Sequence, residues 1–384
     1  MNMMGGARVF DRVARERVTR MLERAGVAVG GHSPRDITVR DDRFYARVAR
    51  DGTLGFGDSY VDGWWECEAP DQLFHAIALT PKGPPLGVAR YINKVRYRFT
   101  NPQSRSRARQ VVDAHYELGN EFFASWLDPA MQYSCAYWDD AEDLEAAQRA
   151  KLALVARKLH ASPGDRILEI GCGWGGLAEH LARECGSRVT ALNISPSQIA
   201  AARRRCEGLD VDVRYMDYRE VTGRWDKVVS VAMLEAVGRA NLRRYMERVH
   251  DVMAPDGVFV LHTIGGDITR LHPDRWITER IFPNGYIPSA AGLTAAMEGL
   301  FAIEDWHSIG PDYDRTLMAW HDRFERAWPA ITKMDRRFDE RFRRLWRYYL
   351  LSCAGTFRAR AMQLWQLVLT RHRSGTHWAR VARR

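Results

Sequence analysis

The stretch Arg166–Gly176, RILEIGCGWGG, decides the fold. A short run of branched aliphatic residues enters a loop with glycine at 171, 173, 175 and 176, and helical spacing takes over from Gly176 to Glu184. A strand, a tight turn and a helix start in that order form the repeating unit of a parallel sheet. Outward from it the same alternation continues. The runs RVTALNI, VDVRYM, DKVVSVAM, GVFVLHTI, FAIEDWH and, late in the chain, LWQLVLT read as further strands. Pro196–Arg205, Asn241–Met253 and Ala290–Leu300 read as helices between them. The expectation is an α/β fold with a doubly wound, mainly parallel seven-stranded sheet, covered on both faces by helices.

In such a sheet ligands bind outside the carboxyl ends of the strands, and the polar residues of this chain gather there. The runs end at Glu169 and the glycine loop, at Asn193, at Asp217-Tyr218, at Glu235 and at His262. The loop GCGWGG satisfies both the dinucleotide pattern GxGxxG and the ExGxGxG pattern of S-adenosylmethionine enzymes, and a tight turn without any ligand is a third reading. A nicotinamide fold usually presents Asp or Glu to the ribose about 20 residues further on. Here Asn193 stands at that place, which weakens the dehydrogenase reading and is a mild departure for methyltransferases too.

The 384 residues and 46% apolar content suffice for two or three domains and exclude a disordered or fibrous chain. No apolar run approaches the ~20 residues of a membrane span, and the start carries no secretory signal, so a cytoplasmic protein is expected. Six cysteines without metal-finger spacing read as reduced thiols, and no metal site is expected. Charge is uneven. Residues 1–110 carry 19 basic against 12 acidic side chains, 111–340 carry 27 against 36, and 341–384 carry 11 against none. Basic ends around an acidic middle suit contact with a polyanion, either nucleic acid or an anionic lipid surface, or plain solvated arginine.

Near the N-terminus, Val9, Phe10, Val13, Ala14, Val18, Met21, Leu22 and Ala25 recur at helical spacing among arginines, with Gly26 as a stop. This stripe is expected to pack on its own domain, with insertion into a bilayer as the other reading. A boundary is expected in the acid-free stretch Arg90–Gln110, dividing the chain into a smaller N-terminal domain, 1–105, and a catalytic domain, 106–384.

Several long segments carry a resemblance. HYELGNEFFASWLDPAMQYSCAYW (His115–Trp138), LEIGCGWGGLAEHLA (Leu168–Ala182), LHTIG (Leu261–Gly265), RIFPNGYIPS (Arg280–Ser289), PDYDRTLMAW (Pro311–Trp320) and CAGTFRARAMQLWQ (Cys353–Gln366) resemble the bacterial cyclopropane-fatty-acyl-phospholipid synthases. The N-terminal RFYARVARDGTLGFGDSYVDGWWE points to the phospholipid-acting branch of that family.

The resemblance implies a class I, Rossmann-like methyltransferase fold and transfer of the methyl carbon of S-adenosylmethionine to a cis double bond of a phospholipid acyl chain. Bicarbonate is implied as the base that closes the ring, in a pocket of Cys135, Glu235, His262, Ile264 and Tyr313. The cofactor set is Tyr133 and Ser134 as a cover, Gly171 and Gly173 at the methionine end, Asn193 and Gln198 near the ribose and adenosine, and Glu169 and Ile194 beside them in the set. Asp217 and Tyr218 would grip the adenine. Tyr133, Tyr137, Trp138 and Tyr313 could steady a cation through their rings. Implied partners are an unsaturated phospholipid in an anionic membrane, met peripherally from the cytoplasm, and no nucleic acid; there is room for a homodimer. One position departs: the family commonly reads Glu-His-Val-Gly where this chain has Glu235-Ala236-Val237-Gly238. A methylase leaving a branched chain, a small-molecule methyltransferase and an RNA-binding methyltransferase are the competing readings.

Overall fold

The structure, a computed structural model, describes residues 3–81, 118–270 and 274–375. They divide into two compact units: one of residues 3–81, 274–283 and 317–361, and one holding the sheet. The acid-free stretch 90–110, the boundary expected at 105/106, and the start of the motif at His115 lie outside the described residues.

In the first unit α1 (Met3–Arg24), α2 (Arg43–Asp51), α3 (Thr53–Val61) and α4 (Pro70–Leu79) accompany a two-stranded ribbon, β1 (Thr38–Val39) and β2 (Trp65–Glu66). Of the amphipathic stripe on α1, Ala14, Val18 and Leu22 are buried, whereas Phe10 and Val13 are about half exposed, at 53% and 51%. Helices Arg275–Arg280 and Glu340–Arg358, which lie in sequence between the later strands of the sheet, belong to this unit. Gly57 accepts Trp276 so closely that a Cβ there would lie 2.3 Å from the indole. A half-buried ion network ties the pieces: Asp58 accepts from Arg280 at 2.8 and 2.9 Å and from Arg47 at 3.3 Å, and Arg341 reaches Asp62 at 2.8 Å.

The second unit contains α5 (Asn120–Ala124), α6 (Leu144–Leu159), β3 (Arg166–Ile170), α7 (Gly176–Cys185), β4 (Arg188–Asn193), α8 (Pro196–Arg205), β5 (Val211–Tyr215), β6 (Trp225–Val231), α9 (Leu242–Val252), β7 (Met253–Gly265), α10 (Ala290–Met297), β8 (Phe301–Ser308), the start of α11 (Gly310–Ile331) and β9 (Gln363–Arg371). All seven expected runs are strands, in the order β5-β4-β3-β6-β7-β9-β8. The first five pair in parallel, and β9 lies antiparallel between β7 and β8. The order reverses beside β3, so the cleft for a ligand opens at the carboxyl ends of β3 and its neighbours.

Side chains alternate across this sheet and both faces are buried, which is why the strands read as nearly continuous apolar runs. Leu168, Val228, Leu261 and Leu367 pack with α9 and α10 on one face. Ile167, Val229, Val260 and Val368 pack with α6, α7 and α8 on the other.

Candidate active site

The glycine loop leaves β3 with Gly171 at φ +88° and Gly173 at φ +53°, conformations that favour glycine. The amides of Gly171 and Cys172 donate to Leu192 O at 2.9 and 3.0 Å, fixing the loop to the end of β4. The two glycines serve different ends. A Cβ on Gly171 would lie 2.7 Å from Met233, whereas one on Gly173 meets no described atom within 4 Å. Gly171 is small so that the protein can pack; Gly173 leaves a stretch of backbone open to close approach by a ligand.

Asn193 explains its own departure from the acidic pattern. Its Nδ2 donates to Gly173 O at 3.1 Å and to Gln198 Oε1 at 2.9 Å, while Oδ1 accepts from the amides of Ile194 and Ser195 at 2.7 and 3.0 Å. A carboxylate could not donate to Gly173. The asparagine therefore binds the glycine loop to the start of α8, and Gln198 is buried beside it.

At the end of β5, Asp217 accepts from Arg219 N at 2.9 Å and from its guanidinium at 3.2 Å, and Arg219 lies 5.0 Å over the Tyr218 ring. Arg219, absent from the sequence expectation, thus neutralises the carboxylate. A cleft of about 160 Å³ adjoins Tyr218 and Arg219, walled by Arg244, Glu247, Arg248 and Asp251. Another of about 260 Å³ beside Trp174 takes in none of the expected site residues.

Tyr133 and Ser134 lie on a segment hung from one face of α6. Gln148 Nε2 donates to the carbonyls of Gln132 and Ser134 at 3.2 and 2.9 Å, and Lys151 Nζ donates to Gln132 Oε1 and, at 3.1 Å, to Ser134 Oγ. The segment presses on the start of α7, where a Cβ on Gly176 would lie 2.2 Å from Ala130 O. Lys151 is fully buried and faces Glu169, also buried, whose Oε2 has no partner among the described atoms. Burial pushes the lysine down to about 8, opposed first by the charge of Asp128 and less by Glu169, and pushes the glutamic acid up to about 8, opposed by the charge of Lys151. Sequence reasoning missed Gln148 and Lys151; their one signal was a lysine between apolar neighbours in AKLALVARKL.

The residues expected to line the bicarbonate pocket form two groups by their contacts. In the first, Cys135 is buried, and burial raises its thiol well above the ordinary range, so it stays protonated and donates to Ala136 O at 3.2 Å. The first turns of α11, which carry Tyr313, hold this segment. Thr316 Oγ1 accepts from Ala136 N at 3.1 Å and Trp138 Nε1 at 2.9 Å, and Asp312 accepts from Trp138 N at 3.1 Å.

The second group lies at the adjacent ends of β6 and β7. Glu235 Oε1 accepts from Ile264 N at 2.6 Å and Thr263 Oγ1 at 3.1 Å; Oε2 is sealed from solvent and has no partner among the described atoms. Burial raises its pKa, with the Ile264 amide pulling the other way. The Ile264 amide is thus directed at Glu235. Ala236 is exposed, so a side chain there need not be buried to satisfy the fold. His262 is fully buried, and its Nε2 has no partner among the described atoms.

This geometry has known counterparts. The sequence model of mycolic acid cyclopropane synthetase matches residues 103–367. The cyclopropane-fatty-acyl-phospholipid synthase of Escherichia coli K12 is 47% identical over 353 residues, covering 91% of this chain and 92% of its own length. Among solved structures, a cyclopropane synthase from Mycobacterium tuberculosis superposes with a TM-score of 0.64 at 29% identity, over 70% of this chain and 99% of its own. A mycolic acid cyclopropane synthase complexed with SAH and CTAB gives a TM-score of 0.63 at 27% identity, over 69% and 98%. With the family model matching residues 103–367, the glycine loop and both of these groups included, the chain belongs to the mycolic acid cyclopropane synthetase family.

Proposed function

We propose that this chain is an S-adenosylmethionine-dependent methyltransferase that builds cyclopropane rings into the unsaturated acyl chains of phospholipids. The near-full-length likeness to the Escherichia coli synthase carries this reading. Bound S-adenosylmethionine supplies an electrophilic methyl carbon on a sulfonium. Gly173 offers it an open backbone edge, and Asn193 holds that edge in place. The π pair of the cis double bond takes the methyl carbon, the sulfur keeps the electrons of the broken C–S bond, and a carbocation remains on the acyl chain. Loss of a proton from the added methyl leaves its C–H pair to close the ring.

Bicarbonate fits as the acceptor of that proton, because the buried donors here suit a small oxyanion. His262 has a nitrogen, and Glu235 a carboxyl oxygen, without a partner among the described atoms, and burial raises the pKa of the glutamic acid. Neither Cys135 nor any other described thiol is required as a nucleophile, and the chemistry forms no enzyme adduct.

For reaching the substrate, the proposal is peripheral docking of the first unit on an anionic bilayer. Phe10 and Val13 stand exposed on α1 beside Arg12. Among the described residues no helix is long and apolar enough to cross a membrane. The basic C-terminal region contributes less free charge than its composition suggests, since Arg341, Arg343, Arg344 and Arg358 pair with Asp62, Glu325, Glu66 and Asp71.

The bicarbonate assignment is tested with Glu235→Gln and with bicarbonate-depleted buffer. Turnover is expected to fall by about a hundredfold or more in the variant, within the range of positioned acid–base catalysis, with cofactor affinity unchanged. Wild-type turnover indifferent to bicarbonate, or an equal loss of cofactor binding in the variant, contradicts the assignment.

A further inference from the structure

Gln366 interrupts the apolar run LWQLVLT of β9, and the sheet register places it directly opposite His262 of β7. Both side chains are fully buried, on the sheet face covered by α6. Gln366 Nε2 lies 3.2 Å from His262 Nδ1. With the amide oriented so that Nε2 faces the ring, and Oε1 without a partner among the described atoms, the amide nitrogen donates and Nδ1 supplies the lone pair. A neutral imidazole holds one proton, which then sits on Nε2, the nitrogen without a partner among the described atoms.

The surroundings keep the ring neutral. Burial, followed by the charges of Lys151 and Lys158 from α6, drives the His262 pKa well below its ordinary value. The row continues past Gln366 to His307 of β8, its register partner on the other side. Lys158 Nζ lies 3.3 Å from His307 Nδ1 and 2.9 Å from Asp305. The lysine is thus anchored where its charge acts on His262.

We propose that Gln366 is a positioning residue that fixes His262 as the Nε2–H tautomer, making His262 a hydrogen-bond donor to the oxyanion base and not the base itself. With Nδ1 occupied by the amide and Nε2 already carrying its proton, the ring has no free lone pair with which to take the proton of the added methyl. The inference rests on the reading of His262 as part of the bicarbonate pocket, but the tautomer can be measured independently of that reading.

The test is nitrogen NMR of the full-length chain labelled with 15N-histidine, with the His262 signals assigned by their disappearance in His262→Asn. The wild type is expected to show an unprotonated Nδ1 and a protonated Nε2; a protonated Nδ1 overturns the proposal. Gln366→Leu keeps the volume and removes the donor. It is expected to give a mixture of both tautomers and a loss of turnover on the order of tenfold, with cofactor affinity unchanged, because one donor is weakened and acid–base help is not abolished. A Leu variant that retains the single Nε2–H form, or that mixes tautomers at full turnover, also overturns it. Should the wild type form no ring at all, the functional reading fails while the tautomer measurement still judges the role of Gln366.

Discussion

Gly171 and Gly173 are two residues apart and share a positive φ, but they answer different demands. Gly173→Val is expected to abolish S-adenosylmethionine binding in a calorimetric titration, because a Cβ there meets no described neighbour within 4 Å and enters the space a ligand would use; the positive φ strains a branched residue, so circular dichroism of the variant checks that the chain stays folded. Unchanged affinity would remove the loop from the cofactor site. Gly171 was legible as a loop glycine, though its packing against Met233 was not, since Met233 is 62 positions away in sequence. The same limit hid Gln366, Lys151 and Thr316. A polar residue inside an apolar run signals a buried partner without naming it, and the partner comes from another strand or helix through the sheet register.

At the scale of elements, the strands were legible because burial on both faces makes each one a short run of branched and aromatic residues bounded by turn residues. What sequence spacing does not convey is which helix braces which segment. The first turns of α11 secure residues 135–138 through Asp312 and through the Thr316 hydroxyl, which accepts from both Ala136 N and Trp138 Nε1. Thr316→Val leaves two buried donors without an acceptor, at a cost of about 2 kcal/mol or more, while Thr316→Ser keeps the acceptor and costs less than about 1 kcal/mol. Chemical denaturation checks this pair. Equal stability of the two variants would mean that the hydroxyl is not what holds the segment.

For the whole molecule, the two units draw on the sequence differently. The sheet unit follows the strand and helix order along the chain, whereas residues 274–283 and 317–361 join the N-terminal helices through contacts such as Arg280–Asp58 and Arg344–Glu66. Nothing in local composition marks those late segments as partners of α3 and β2, because the pairing arises from complementary charge and from glycines that permit close approach. Docking on a bilayer through exposed arginine and Phe10 should weaken as salt rises, given a Debye length of roughly 10 Å at 0.1 M. Flotation with anionic and neutral vesicles checks it, and equal, salt-insensitive binding to both would count against electrostatic docking. The central claim is ring formation on an esterified acyl chain. It is tested most directly by incubating the purified chain with S-adenosylmethionine and vesicles of a monounsaturated phospholipid, then analysing the lipid by mass spectrometry and proton NMR. The account predicts a gain of one CH2 per modified chain, loss of the olefinic signals and new cyclopropyl signals; a methylated chain that keeps its double bond or carries a simple branch, or an unmodified lipid, would contradict it.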